Sequence, residues 1–185
     1  ITVDMKAKAS ASGGHRVIAS EPGTVEVESS RYPFCFSGAE KDPNGTRSIL
    51  PFLPFNEDLN RFMLVVKNLE SEQAEVTWGE AKKTFPRAQL EQGINLAAEF
   101  IDNPFVEPFQ RLDRIVQQKQ QYETNMIKRI VTNFRQIRNV VGKDDELDEL
   151  LAGVYGKLGI KQEKYQEQAR ACVQPLRHKL SVAAK

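Results

Sequence analysis

Two histidines, His15 and His178, and two cysteines, Cys35 and Cys172, are the only imidazoles and thiols in the chain. A structural zinc site takes about four clustered nitrogen or sulfur ligands. These four residues are scattered along the sequence, so no metal site is expected and no cofactor is implied. Cys35 and Cys172 could pair as a disulfide, but each lies in an apolar stretch and reads more simply as a buried free thiol. Ser12 stands three positions before His15, which invites an acyl-transfer pair of nucleophile and base. A nucleophile elbow needs G-x-S-x-G on a strand-to-helix turn, whereas Ser12-Gly13-Gly14 reads as a turn between strands.

The acidic residues offer two further chemistries. Glu70, Glu72 and Glu75 could supply the paired carboxylates of glycoside hydrolysis, but they flank a polar loop where acids are ordinarily solvated. Asp144, Asp145, Glu146, Asp148 and Glu149 lack the alternating ligands, central glycine and distal glutamate of a calcium loop. They read as a helix N-terminus, where negative charge meets the dipole. Trp78-Gly79 could stack on a sugar, or Trp78 could simply fill a core on an alternating strand. Asn44-Gly45-Thr46 fits both a glycosylation acceptor and a tight turn.

Lys and Arg number 26 against 25 Asp and Glu, a net charge of +1. That balance argues against a nucleic-acid partner, which would need a surplus of cations. Positions 111 to 138 do carry seven Lys or Arg against two acids, but interleaved glutamines dilute the field. No apolar run approaches the ~18 residues of a membrane span. With 40% hydrophobic and 28% charged residues, the chain suits a folded, core-forming protein.

The elements that would position these groups change character near residue 101. The first hundred residues hold 11 basic and 14 acidic residues, and the remainder 15 and 11. Ile1–Met5, His15–Ile18, Thr24–Glu28, Arg61–Leu69 and Ala74–Lys82 alternate as strands. Tyr32–Phe36 reads as an aromatic strand, and Leu53-Pro54-Phe55-Asn56 as an extended link from it to the next. Turn signals such as Asp42-Pro43-Asn44-Gly45 separate the strands. Beyond Asn103-Pro104, apolar residues from Phe109 to Val141 recur at three- and four-residue steps, a helix of about 45 Å. Gly142 caps it, and Asp144 or Asp145 opens the next. Gly156 and Gly159 are expected to break that second helix. A third runs from about residue 162 to 173, with a tail helix toward Val182. The fold class expected is α+β: a small antiparallel β-sandwich over 1–100, then a helical segment over 101–185 made of a long helix and a helical hairpin.

One stretch is more specific. Leu53-Pro54-Phe55-Asn56-Glu57-Asp58-Leu59-Asn60-Arg61-Phe62 is followed by alternating Leu64, Val66 and Leu69, then Thr84-Phe85, then Leu90-Glu91-Gln92-Gly93-Ile94-Asn95-Leu96-Ala97. This resembles the region C-terminal to the catalytic core of bacterial SGNH (GDSL-like) hydrolases. The resemblance implies an upstream core of the same protein carrying a Gly-Asp-Ser nucleophile and an Asp-x-x-His pair. Neither motif fits here: no Gly-Asp-Ser occurs, and position 12, three before His15, is Ser. No catalytic residue is therefore carried over. Asn56, Asn60, Arg61, Gly93 and Asn95 match the downstream motif. They either staple loops or shape an acyl or sugar pocket of the upstream core.

Two functions follow as expectations. The chain is the non-catalytic C-terminal region of an ester hydrolase, inert alone, whose parent would act on esters such as those of carbohydrate. Alternatively it is a free-standing module that binds carbohydrate or a protein. The chain opens on Ile1, which suggests a start partway through a longer product or after processing. The resemblance favours an extracellular or periplasmic setting.

Overall fold

The computed structural model describes all of residues 1–185, in two compact units: residues 1–109 together with 174–185, and residues 110–173. The first unit carries two sheets. The larger is antiparallel, built from β2 (His15–Glu21), β3 (Thr24–Ser29), β5 (Gln73–Trp78), β6 (Ala81–Pro86) and β8 (Leu176–Ala184) in the order β2-β3-β8-β5-β6. The smaller joins β1 (Thr2–Asp4), β4 (Met63–Lys67) and β7 (Ile94–Asn95) in the order β1-β4-β7. Its β1–β4 pair is parallel, with Val3 opposite Val66. Short helices α1 (Phe55–Asp58), α2 (Arg87–Gln92) and α3 (Leu96–Glu99) and a 3-10 turn over Thr46–Phe52 complete the unit.

Alternation builds the core. β3 buries Val25, Val27 and Ser29, β5 buries Ala74, Val76 and Trp78, and β8 buries His178, Leu180 and Val182. Their outward neighbours are mostly polar, so each strand presents one apolar face. Val3, Leu64 and Val66 of the smaller sheet belong to the same core, as do Phe62, Leu90, Leu96, Phe100 and Phe105. Each such side chain contributes roughly 1.5–3 kcal/mol by leaving water. The β2–β3 hairpin closes through Gly23 at φ 72°, where a Cβ would stand 2.8 Å from the Val182 carbonyl. That approach lets Val182 N–H donate to the Gly23 carbonyl at 2.7 Å.

The second unit is a helical pair. α4 (Val106–Asn125), a π-helical turn (Met126–Val131) and α5 (Thr132–Val141) run as one long helix, and α6 (Asp145–Cys172) follows. Gly142 caps the first, its N–H bonded to the Arg138 carbonyl. Asp144 caps α6 by accepting from Leu147 N–H at 2.9 Å. Phe134 meets Tyr155 edge-on at 5.5 Å, Tyr122 packs on Tyr165 at 5.6 Å, and Tyr122 Oη donates to the Leu158 carbonyl at 2.8 Å. No helix is long and apolar enough to cross a membrane.

The fold class is thus α+β, with two open sheets packed sandwich-like and a long helix with its helical partner. Five local expectations are corrected. The tail forms no helix: Leu176–Ala184 is the central strand of the larger sheet, hydrogen-bonded to β3 on one side and β5 on the other. α6 runs unbroken through Gly156 and Gly159; the cost of about 1 kcal/mol per glycine is small beside the packing of the whole helix. Residues 32–36 form no strand: both backbone groups of Phe34, at the middle of the run, are bonded by the Asn60 side chain rather than by a neighbouring strand. Residues 53–56 are not wholly extended, since α1 starts at Phe55. The Ala74–Lys82 run is two strands, turned at Gly79.

Candidate functional site

The matched asparagines come together. Asn60, 4% exposed, donates through Nδ2 to the Phe34 carbonyl at 3.1 Å and to Asn56 Oδ1 at 3.0 Å, while its Oδ1 accepts Phe34 N–H at 2.8 Å. Its amide stands where a neighbouring strand would have stood. Asn95 donates to the carbonyls of Asn56 and Asn60 at 2.9 and 3.0 Å, and its Oδ1 accepts N–H from Phe62 at 2.9 Å and from Ala97 at 3.2 Å, the latter capping α3. The Asn60 and Asn95 amides are spent mainly on backbone and fasten these loops, while Asn56 contributes its Oδ1 to Asn60 and its carbonyl to Asn95. Gly93, at φ 104°, turns the chain into β7. Arg61 stands apart from them, on a separate concavity with His15 and Arg31.

What the clasp holds in place is apolar. Phe34, Phe36 and Phe55 contact one another edge-on at 4.9–5.5 Å. They and Ile49, Phe52 and Leu53 line an open groove of about 550 Å³. Phe52 is 80% exposed, and Ile49 and Leu53 are about half exposed. Large apolar side chains gathered this way at a surface mark an interaction site more often than chance. Cys35, behind the groove, is buried, and burial pushes its thiol up to about 11. It is no nucleophile at neutral pH. Both cysteines are free thiols, and Cys172 is only half-buried.

A second polar constellation escapes a reading of the sequence. Ser29 Oγ lies 2.8 Å from His15 Nδ1 and 2.8 Å from His178 Nε2, and Trp78 Nε1–H donates to His178 Nδ1 at 3.1 Å. The indole proton makes His178 Nδ1 an acceptor, so Nε2 carries the ring proton and donates to Ser29. The Ser29 hydroxyl then donates to His15 Nδ1. Burial pushes His178 down to about 4, and burial, with positive charge nearby, also lowers His15. Both rings are neutral at pH 7. Ser29 is fully buried, and no carboxylate orients either imidazole. The row seals one end of the core and lacks the acid and the access of a triad. Ser29 and His178 are 149 positions apart. The available signal was the alternation of Thr24–Ser29, which turns Ser29 inward with Val25 and Val27.

The other candidates resolve structurally. Ser12 meets His15 through a backbone turn, its carbonyl accepting His15 N–H at 3.1 Å. Glu70 pairs with Lys6, and Glu75 with Lys82 and Lys185; each partner holds its carboxyl below the usual range. Neither is the raised acid that glycoside hydrolysis requires. Asp148 pairs with Arg138. Trp78 is fully buried, so it offers no face to a sugar. No three His, Cys, Asp or Glu side chains gather as a metal site would need.

Comparison with solved structures gives one informative match. The whole chain superposes on a gut microbial diltiazem-metabolizing enzyme with a TM-score of 0.66. Identity is 14%, and the match covers 100% of this chain and 49% of that one. At that identity the likeness is one of fold, and this chain spans about half the length of the enzyme. No family model matches the sequence, and no curated protein does.

Proposed function

We propose that this chain is the non-catalytic region of an SGNH-like ester hydrolase, and that it supports the active site of a catalytic core carried by the same protein. The observation that carries this reading is the full-length superposition on one half of a solved enzyme. The missing triad agrees with it: Ser29 is sealed, Ser12 makes no bond to an imidazole, and Cys35 is held as a thiol. The groove of Phe34, Ile49, Phe52, Leu53 and Phe55 is the surface we assign to the catalytic core. Its Leu53 and Phe55 belong to the segment that resembles the hydrolase motif, and Asn60 of the same segment holds the backbone of Phe34 beside them. The alternative of a sugar-binding module loses its best residue, because Trp78 lies in the core.

The test uses the protein encoded with the sequence upstream of Ile1. Phe52→Ser removes the most exposed aromatic of the groove without touching the core. The expected result is unchanged thermal stability of the residue 1–185 chain and a fall in kcat/KM for p-nitrophenyl acetate in the longer protein. Equal kcat/KM for wild type and variant would overturn the groove's assignment.

A further inference from the structure

Arg31 and Arg61 are both exposed, and neither side chain makes a hydrogen bond or ion pair within the protein. Both line a concavity of about 250 Å³, together with Ile1, Ser12, His15 and Met63. No carboxylate lines it. Two arginines lining one hollow with no carboxylate among its other lining residues leave it a positive potential, which an arriving anion relieves.

Each arginine is rooted on fixed backbone. Ser30 and Arg31 N–H both donate to the Gly14 carbonyl, at 2.9 and 3.3 Å. The Arg31 side chain lies over Gly14, where an added Cβ would stand 3.0 Å from Arg31 Cβ, and Gly14 sits at φ 88°. Arg61 is flanked by Asn60 and Phe62, both buried, the first held by the asparagine clasp and the second by its N–H bond to Asn95. His15 supplies a third donor. Its Nδ1 is engaged by Ser29 at 2.8 Å, which places the ring proton of the neutral imidazole on Nε2, and Nε2 has no partner in the protein. The Ile1 nitrogen is already engaged, donating to the Met63 carbonyl at 2.9 Å.

We propose that this hollow is a binding site for a tetrahedral oxyanion, a phosphate or sulfate group, held by the Arg31 and Arg61 guanidiniums and by His15 Nε2–H. The two fixed positive charges favour a dianion over a monoanion. Guanidinium forks match adjacent oxygens of such a group, and the imidazole proton reaches a further one. The proposal does not rest on the ester-hydrolase reading, because the hollow and the apolar groove share no lining residue.

The test is a titration of the chain with inorganic phosphate, inorganic sulfate, phenyl phosphate and acetate, followed by calorimetry and by the His15 ring resonances in NMR spectra. Sodium chloride at matched ionic strength serves as reference. The expected result is a saturable shift of the His15 signals and an affinity about tenfold weaker in Arg31→Ala and in Arg61→Ala. Arg16→Ala, which removes the partner of Glu28 outside the hollow, should bind as wild type does. Tighter binding of phenyl phosphate than of inorganic phosphate would assign an ester-borne group, and the reverse order the free ion; either supports the site. Both arginine variants remove exposed side chains, and an unchanged near-ultraviolet circular dichroism spectrum verifies that they fold. No saturable shift beyond that of chloride would overturn the proposal. So would equal affinity in the arginine variants, or acetate binding as tightly as phosphate.

Discussion

His178 should make this protein sensitive to mild acid, and the size of the effect follows from its surroundings. The ring is 5% exposed, accepts the Trp78 indole proton at Nδ1, and donates from Nε2 to Ser29. Protonating Nδ1 would break the indole bond and place a charge among Phe62, Trp78 and Phe105, whose rings lie 5.0–5.9 Å away. The folded ring therefore titrates at about 4, against an ordinary 6.5. Above pH 6.5 both states are neutral, and this group gives no pH dependence. Between 6.5 and 4 the unfolded chain takes up a proton that the folded one refuses, so stability falls as pH falls. Below 4 both are protonated and the loss stops growing. At 1.36 kcal/mol per unit, the loss attributable to His178 is about 3 kcal/mol. His15 is shifted in the same direction and adds to it. Urea unfolding of wild type and His178→Gln from pH 7.5 to 3.5 isolates the effect, because the carboxylates titrate alike in both. Wild type should lose about 3 kcal/mol more than the variant across that range. A His178 resonance titrating near 6.5, or parallel stability curves, would refute the reasoning.

Other outcomes follow from single positions. Asn60→Ala leaves both Phe34 backbone groups without their partner and should lower stability by about 2 kcal/mol in urea unfolding, since each of the two is part-buried and falls at the low end of the roughly 1–3 kcal/mol that a buried orphan costs. Gly156→Ala should raise stability by about 0.5–1 kcal/mol, because α6 is continuous there and the added methyl meets nothing within 4 Å. A melting temperature that falls would instead mean a break in the helix at that glycine.

Much of the architecture is legible in the sequence where the determinants are local. Val25 and Val27 alternate with acids and form β3; Gly142 and Asp144 bracket the loop between the long helices. The asparagine matches point to residues that do meet, bonding one another and the backbone around them. The signal fails where a partner is distant. Leu176, His178, Leu180 and Val182 have the period of a strand, but their partners lie in β3 and β5, about 150 and 100 positions back. Phe34 looks like a strand residue because nothing in its neighbourhood announces that a side chain, Asn60, will stand in for the next strand. The Ser29–His178 contact is invisible for the same reason, whereas Ser12 and His15 attract notice by proximity in sequence alone.

The most direct measurement is hydrolysis of p-nitrophenyl acetate by the 185-residue chain beside the longer protein encoded with its upstream sequence. The account predicts background rates for the chain, unaltered by Ser29→Ala or His15→Ala, and turnover by the longer protein. Turnover by the chain alone that Ser29→Ala abolishes would contradict it, and would make the buried serine and its two histidines the catalytic site.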